Sequence, residues 1–183
     1  MNYYIMEKSI LNLLLILTVV ATAQANWVIK NVGNDNVHVS FPSEPKYDEN
    51  SQIQSQIYVS KVDNCIFTVL VKNNVIPNTI IPDYEKFKLL SAAEQASLVN
   101  EFLDKGIMQF IGNSSIISPL KSIKVGNYFG KEIAYANSGN VNQLYTKFIL
   151  VRKNLYIIQC TYKEPSDPCK ASKEKFLSSV FIN

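Results

Sequence analysis

The chain has one arginine, Arg152, and one histidine, His38, among its 183 residues. A surface that tracks phosphates needs clustered Lys and Arg, but the formal net charge here is only +3 and the lysines are dispersed. Their tightest grouping, Lys170, Lys173 and Lys175, reads as the solvated face of a helix, so no nucleic-acid partner is expected. A nucleophile with a histidine base would have to use His38. In VHVSF that residue alternates with valines, which places it on the polar face of a strand. Zinc sites want closely spaced Cys and His; one isolated His and scattered Cys supply no such set, so neither a metal nor a cofactor is expected. Gly-rich phosphate loops are missing as well. Gly126 and Gly130 in GNYFG introduce a strand, whereas a phosphate loop opens a helix. The remaining acid–base candidates are the carboxylate pairs Asp48 with Glu49 and Glu101 with Asp104. Solvated surface charge accounts for them better, so the chain reads as no enzyme; the alternative is a small exported hydrolase using those carboxylates or His38.

No apolar run reaches the roughly 20 residues that span a bilayer. The longest, Ile10 to Ala23, follows Lys8 and leads into Ala23-Gln24-Ala25, the small-x-small pattern that signal peptidase reads. Residues 1–25 therefore read as a signal peptide, with Met6 as an alternative start, and residues 26–183 as one domain. The expected product is exported, periplasmic or secreted, with no stable membrane anchor once the signal is removed. Export sets the context for the cysteines. In an oxidising compartment Cys65, Cys160 and Cys169 form at most one internal bridge. Cys160 and Cys169 are nearest in sequence and make the first candidate pair; pairing of Cys65 with either, or three buried thiols, stays open.

What the chain does have is β-strand signal. Hydrophobic residues make up 47% of it and charged residues 18%, a balance well away from disorder. Trp27 to Lys30 and Val37 to Phe41 read as an opening hairpin across NVGNDN. Pro42 and Pro45 then force an extended, turn-rich path. Ser51 to Val62 alternates and Cys65 to Lys72 is nearly all apolar, so the first strand is half exposed and the second central. Asn73 to Pro82 is irregular. Tyr84 to Leu90 makes a first helical piece, and Ser91-Ala92-Ala93-Glu94 is a capping box that opens a helix ending at Gly112. On it Leu98, Phe102 and Phe110 lie beside Val99, Leu103 and Ile107 as one stripe facing the sheet; Gly106 within that stripe fits close approach of helix to sheet rather than a ligand position. Ser115 to Val125 is extended but interrupted at Pro119. FGKEIAYA, QLYTKFILV and LYIIQCTY follow as a three-strand antiparallel meander. Asp167-Pro168 signals a helix start, with Ala171 to Ser179 as the helix and Val180 to Ile182 as a short extended tail.

The order of these elements resembles the superfamily of the PsbP-type extrinsic proteins of photosystem II and the DcrB-like periplasmic proteins. The resemblance is carried by VSFPSEPKY, NYFGKEIAYA, KNLYIIQCTY and KEKFLSSVFIN, and covers most of Val28 to Asn183. It implies an α+β fold, an antiparallel meander sheet with helices packed on its faces as an α/β/α sandwich. It also implies a binding or assembly-assisting role without catalysis, in which the partner is another envelope protein or a membrane segment. No catalytic residue carries over. The feature able to turn such a scaffold into a binding surface is the aromatic supply of the meander: Tyr128, Phe129, Tyr135, Tyr145, Tyr156 and Tyr162. Alternate strand positions share a face, and any of these rings left uncovered offers apolar surface and a hydroxyl. A lipid or small-molecule carrier is the other alternative, and it requires an enclosed apolar cavity between helix and sheet.

Overall fold

The computed structural model describes residues 26–52, 54–76, 84–137 and 141–183. The expected signal peptide at 1–25 lies outside the described residues, as do much of the irregular stretch read at 73–82 and the Ser-Gly-Asn connection inside the meander. Among the described residues, ten strands and three helices follow one another in the order β1 (Val28–Val32), β2 (Val37–Phe41), β3 (Lys46–Asn50), β4 (Ser55–Val62), β5 (Cys65–Lys72), α1 (Tyr84–Leu89), α2 (Ala92–Ile111), β6 (Ser115–Val125), β7 (Tyr128–Ala136), β8 (Asn142–Val151), β9 (Asn154–Lys163), α3 (Asp167–Ser178) and β10 (Phe181–Ile182).

Seven strands form the main sheet in the order β3-β4-β5-β9-β8-β7-β6, with every pairing antiparallel. The predicted meander is the run β9-β8-β7, with β9 the middle strand of the seven, and β6 adds a fourth strand at the edge. Pro119, which cannot donate to a ladder, sits where the β6 register shifts between Ser118 and Lys121. The pairing that sequence order does not suggest is β5 with β9, Ile66↔Thr161 to Lys72↔Leu155. It joins the β3-β4-β5 half to the meander across the whole α1-α2 segment. A second sheet, β1-β2-β10, brings the two ends of the described chain together.

Each face of the main sheet carries its own core. On the first, α2 presents Val99, Leu103, Ile107 and Ile111 to Ile133, Tyr135, Leu144, Phe148, Leu150 and Ile157. Burying each such helix side chain contributes about 2 kcal/mol. The capping box forms as read: Glu94 N donates to Ser91 Oγ at 3.3 Å, while Ser91 N donates to Glu94 Oε2 at 2.9 Å. On the second face the small sheet and α3 pack Phe41 and Phe176 over Phe67, Tyr156, Ile158 and Cys160.

Several expectations are corrected. The half of the α2 stripe made by Leu98, Phe102 and Phe110 does not face the sheet fully, and Phe110 is 45% exposed. Gly106 does not serve close approach, since a Cβ placed there meets nothing within 4 Å. The β4 strand starts at Ser55 rather than Ser51, because Gln54 turns the chain at φ 49°. Helix α3 begins at Asp167 rather than Ala171, with Ser166 as its N-cap and Pro168 in the first turn. The disulfide joins Cys65 to Cys169, with Cα atoms 5.7 Å apart, and leaves Cys160 free and buried. Position along the strands explains the choice. Cys160 pairs with Phe67, two residues inside β5, whereas Cys65 stands at the end of the sheet where β9 leaves and α3 begins. Burial pushes the Cys160 thiol up to about 12, so it stays protonated and unreactive at neutral pH.

Candidate functional site

The aromatic residues singled out in the meander separate into three groups. Tyr135 and Tyr156 are buried, 3% and 0% exposed, so neither ring is a contact surface, and Tyr162 is buried with them. Burial raises the Tyr135 hydroxyl above its ordinary pKa, against the hydrogen bonds of Thr146 and Gln159. Tyr156 Oη donates to Asp35 Oδ2 at 2.9 Å, and burial followed by that carboxylate raises its pKa strongly. Tyr128 and Phe129 are half-buried and line a 250 Å³ hollow with Phe87, Gln95 and Arg152. Tyr145, also half-buried, lines a hollow of about 690 Å³. The meander thus spends its tyrosines on both cores and leaves Tyr145 beside open space.

Two clefts lie on opposite faces of the main sheet. The first is apolar and runs between α2 and the sheet. Phe102, Gly106 and Phe110 follow one another at every fourth position along the helix, which puts them on one line. Phe148, Leu155 and Ile157 form the floor, with Lys72 and Gln109 at the rim; the volume is about 290 Å³. Phe110 stands edge-on to Phe148 with ring centroids 5.6 Å apart. With no side chain at Gly106, a notch opens between the two phenylalanines. The floor continues sideways across the ladder Ile157↔Leu70↔Ile57, where Leu70 and Ile57 are left half-buried because α2 lies chiefly over β7. Met108, on the outer side of the same helix turn, is 49% exposed.

The second cleft is the groove of Tyr145. Its floor is the polar side of β6, β7 and β8, where Lys121, Glu132 and Lys147 lie opposite one another across three strands. Its wall is α3. Lys173 Nζ stands 4.0 Å from the centre of the Tyr145 ring, and Lys147 Nζ donates to Leu177 O at 2.9 Å near the end of α3. Tyr145 Oη donates to Gln143 Oε1 at 2.6 Å and stacks on Tyr162 at 5.4 Å. Glu164 accepts from Tyr162 Oη at 3.0 Å and pairs with Lys170 at 3.4 Å. Burial opposes its ionisation, but Tyr162 and Lys170 prevail and hold its carboxyl below the usual range.

The catalytic candidates do not converge. His38 stacks on Phe181 with centroids 4.7 Å apart and meets Asn183 Nδ2 at 3.4 Å; neither side chain is a nucleophile. Asp48 and Glu49 are neighbours on the exposed strand β3, and Glu49 accepts from Tyr47 Oη at 2.7 Å. Glu101 pairs with Lys105 at 2.8 Å, which holds its carboxyl below the ordinary value, and Asp104 pairs with Lys131 at 2.8 Å. Among the described residues no group of three or more His, Cys, Asp or Glu could hold a metal ion, and no helix is long and apolar enough to cross a membrane. The clefts described here are open to solvent, unlike the enclosed cavity a carrier requires.

Sequence reading missed Asp35. It lies 6% exposed in the β1–β2 turn and gathers Arg152 at 3.3 Å, Asn154 at 2.7 Å and Tyr156 at 2.9 Å. The solitary arginine was the available signal, because a lone guanidinium in a lysine-rich chain suggests fork geometry that lysine cannot supply.

The fold is that of cyanobacterial PsbP. The solution structure of PsbP (CyanoP) from Synechocystis sp. matches over 89% of this chain and 96% of its own, with a TM-score of 0.55 and 12% identity. A protein of unknown function from Pseudomonas aeruginosa, PA94, matches over 86% of this chain and 96% of its own, with a TM-score of 0.41 and 11% identity. No protein-family profile matches the chain, and no curated protein matches it.

Proposed function

We propose that the chain is an exported, non-catalytic binding protein that takes an apolar segment of another envelope protein into the cleft between α2 and the main sheet. The observation that carries this reading is the line Phe102-Gly106-Phe110 above an apolar floor that runs on through Leu70 and Ile57. Helix burial does not need that arrangement. Val99, Leu103, Ile107 and Ile111 already anchor α2, and Phe110, edge-on to Phe148, keeps 45% of its surface exposed. Exposed aromatic surface beside a glycine notch suits a partner side chain inserted as an anchor. Export rests on the leader-like residues 1–25, and a non-catalytic role is supported by the dispersal of His38 and the carboxylates.

A photo-crosslinking residue at Met108, in the protein expressed with its leader in its own cells, tests the reading. The expected outcome is a mature protein beginning at Asn26 and a discrete adduct that disappears when Phe110→Asp is added. An adduct unchanged by Phe110→Asp, or no adduct with any envelope protein, overturns docking in this cleft. An intact N-terminus on the recovered protein overturns cleavage after Ala25.

A further inference from the structure

We infer that the groove between α3 and strands β6 to β8 is a second binding site, for a small amphipathic anion: an acidic head group on an apolar body. This goes beyond the apolar docking cleft, which lies on the opposite face of the sheet. The groove holds about 690 Å³, within the range of about 300–1,000 Å³ usual for small-molecule sites. Packing explains why it stays open. The small sheet and α3 cover the β5-β9 part of this face and reach β8, while the register shifts of β6 around Pro119 leave the space beyond α3 open.

Its charges are arranged with a bias. Lys121, Lys147 and Lys173 line it against Glu132 and Glu174. Lys147 rests on a neutral group, the backbone carbonyl of Leu177. Lys173 lies on the face of Tyr145 and is paired with Glu174 at 2.9 Å. Glu132 sits between Lys121 and Lys147 in register and compensates one of them. Three lysines against two glutamates therefore leave one positive charge over, and an acid group arriving at Lys147 exchanges a neutral partner for a charged one, which strengthens the hydrogen bond. Leu177 on α3 and the exposed Pro119 on β6 supply apolar contact for the remainder of the ligand.

Titration of the whole protein with anilinonaphthalene sulfonate, an amphipathic anion, and with the uncharged N-phenylnaphthylamine tests the assignment. The expected result is saturable binding of the sulfonate, weakened by salt. Lys147→Met should weaken it about tenfold, the loss of one charge-assisted contact. Lys121→Met should weaken it in the same direction; its side chain is 73% exposed, so that variant folds even if the loss of Lys147 loosens α3. Phe110→Asp should leave sulfonate binding unchanged. Equal affinity for the uncharged dye, insensitivity to both lysine changes, or loss of binding on Phe110→Asp alone would overturn the assignment; the last outcome would assign the dye to the apolar cleft.

Discussion

The two covers of the main sheet are made differently. One is a single contiguous helix, α2, whose buried residues recur at every fourth position and whose start is capped by its own Ser91 and Glu94. The other is assembled from both ends of the described chain. Strands β1 and β2 come from one end and α3 and β10 from the other, joined to each other through the β2–β10 ladder and to the main sheet by the Cys65–Cys169 bridge across 104 residues and the buried Asp35. A helical cover needs only local periodicity. The composite cover needs long-range closure, whose entropy cost must be offset by cross-links and hydrogen bonds. The difference also shows in what each leaves open: the straight helix leaves an apolar slot along its side, and the composite cover leaves a charged groove beyond α3.

The contrast breaks first in the core of the composite cover. Phe176 is 0% exposed between Phe41 and Phe67, and Phe176→Ala should cost about 4 kcal/mol in urea unfolding. A cost near 1 kcal/mol would mean that α3 is not integral to the fold. Next comes Asp35→Ala, which strands the buried Tyr156 hydroxyl and Asn154 amide and should cost about 3 kcal/mol. Hydrogen exchange should then quicken in β1 and β2 while α2 keeps its protection. Uniform quickening would show that the two covers are one cooperative unit.

The glycines sharpen the comparison because they differ in sign. At Gly33 the backbone has φ +68°, and a Cβ would lie 2.5 Å from Tyr156 Oη; Gly33→Ala should destabilise by about 2 kcal/mol. Gly106 lies in mid-helix with nothing within 4 Å of a Cβ, so Gly106→Ala should stabilise by about 0.5–1 kcal/mol, read as a rise in the denaturation midpoint. The smallest effect is Ser91→Ala, about 1 kcal/mol or less, and it depends on pH. Ser91 holds the folded Glu94 carboxyl below its ordinary value of 4.5. The share of the cap that rests on the ionised Glu94 carboxylate is therefore present above that value and is lost as pH falls through the lower folded one. The gap between the wild-type and Ser91→Ala urea curves should narrow in acid to the part supplied by the bond from Glu94 N to Ser91 Oγ.

Much of this was legible from residue pattern. The capping box, the stripe of Val99, Leu103 and Ile107, and the three strands of the meander are local features, and local periodicity places them. Where the reading slipped, a distant neighbour decided. Cys160 is nearer Cys169 in sequence, yet antiparallel pairing of β5 with β9 sets Cys65 beside the start of α3. Tyr135 and Tyr145 are both meander tyrosines, one in FGKEIAYA and the other in QLYTKFILV. Opposite faces of the sheet put one under α2 and the other in the groove. Gly106 looked suited to close packing, but rotation of α2 about its axis turned it toward the slot.

By itself, then, the sequence determined the strand and helix content, the antiparallel meander and the amphipathic α2, because these depend on side-chain period and on hydrogen bonds between near neighbours. Only the tertiary structure decided which tyrosines are core, which cysteines join, that the scarce Arg152 serves a buried aspartate, and where the sheet is left uncovered. Those outcomes depend on which distant strands become adjacent and on how far each cover reaches, and no local pattern encodes either one.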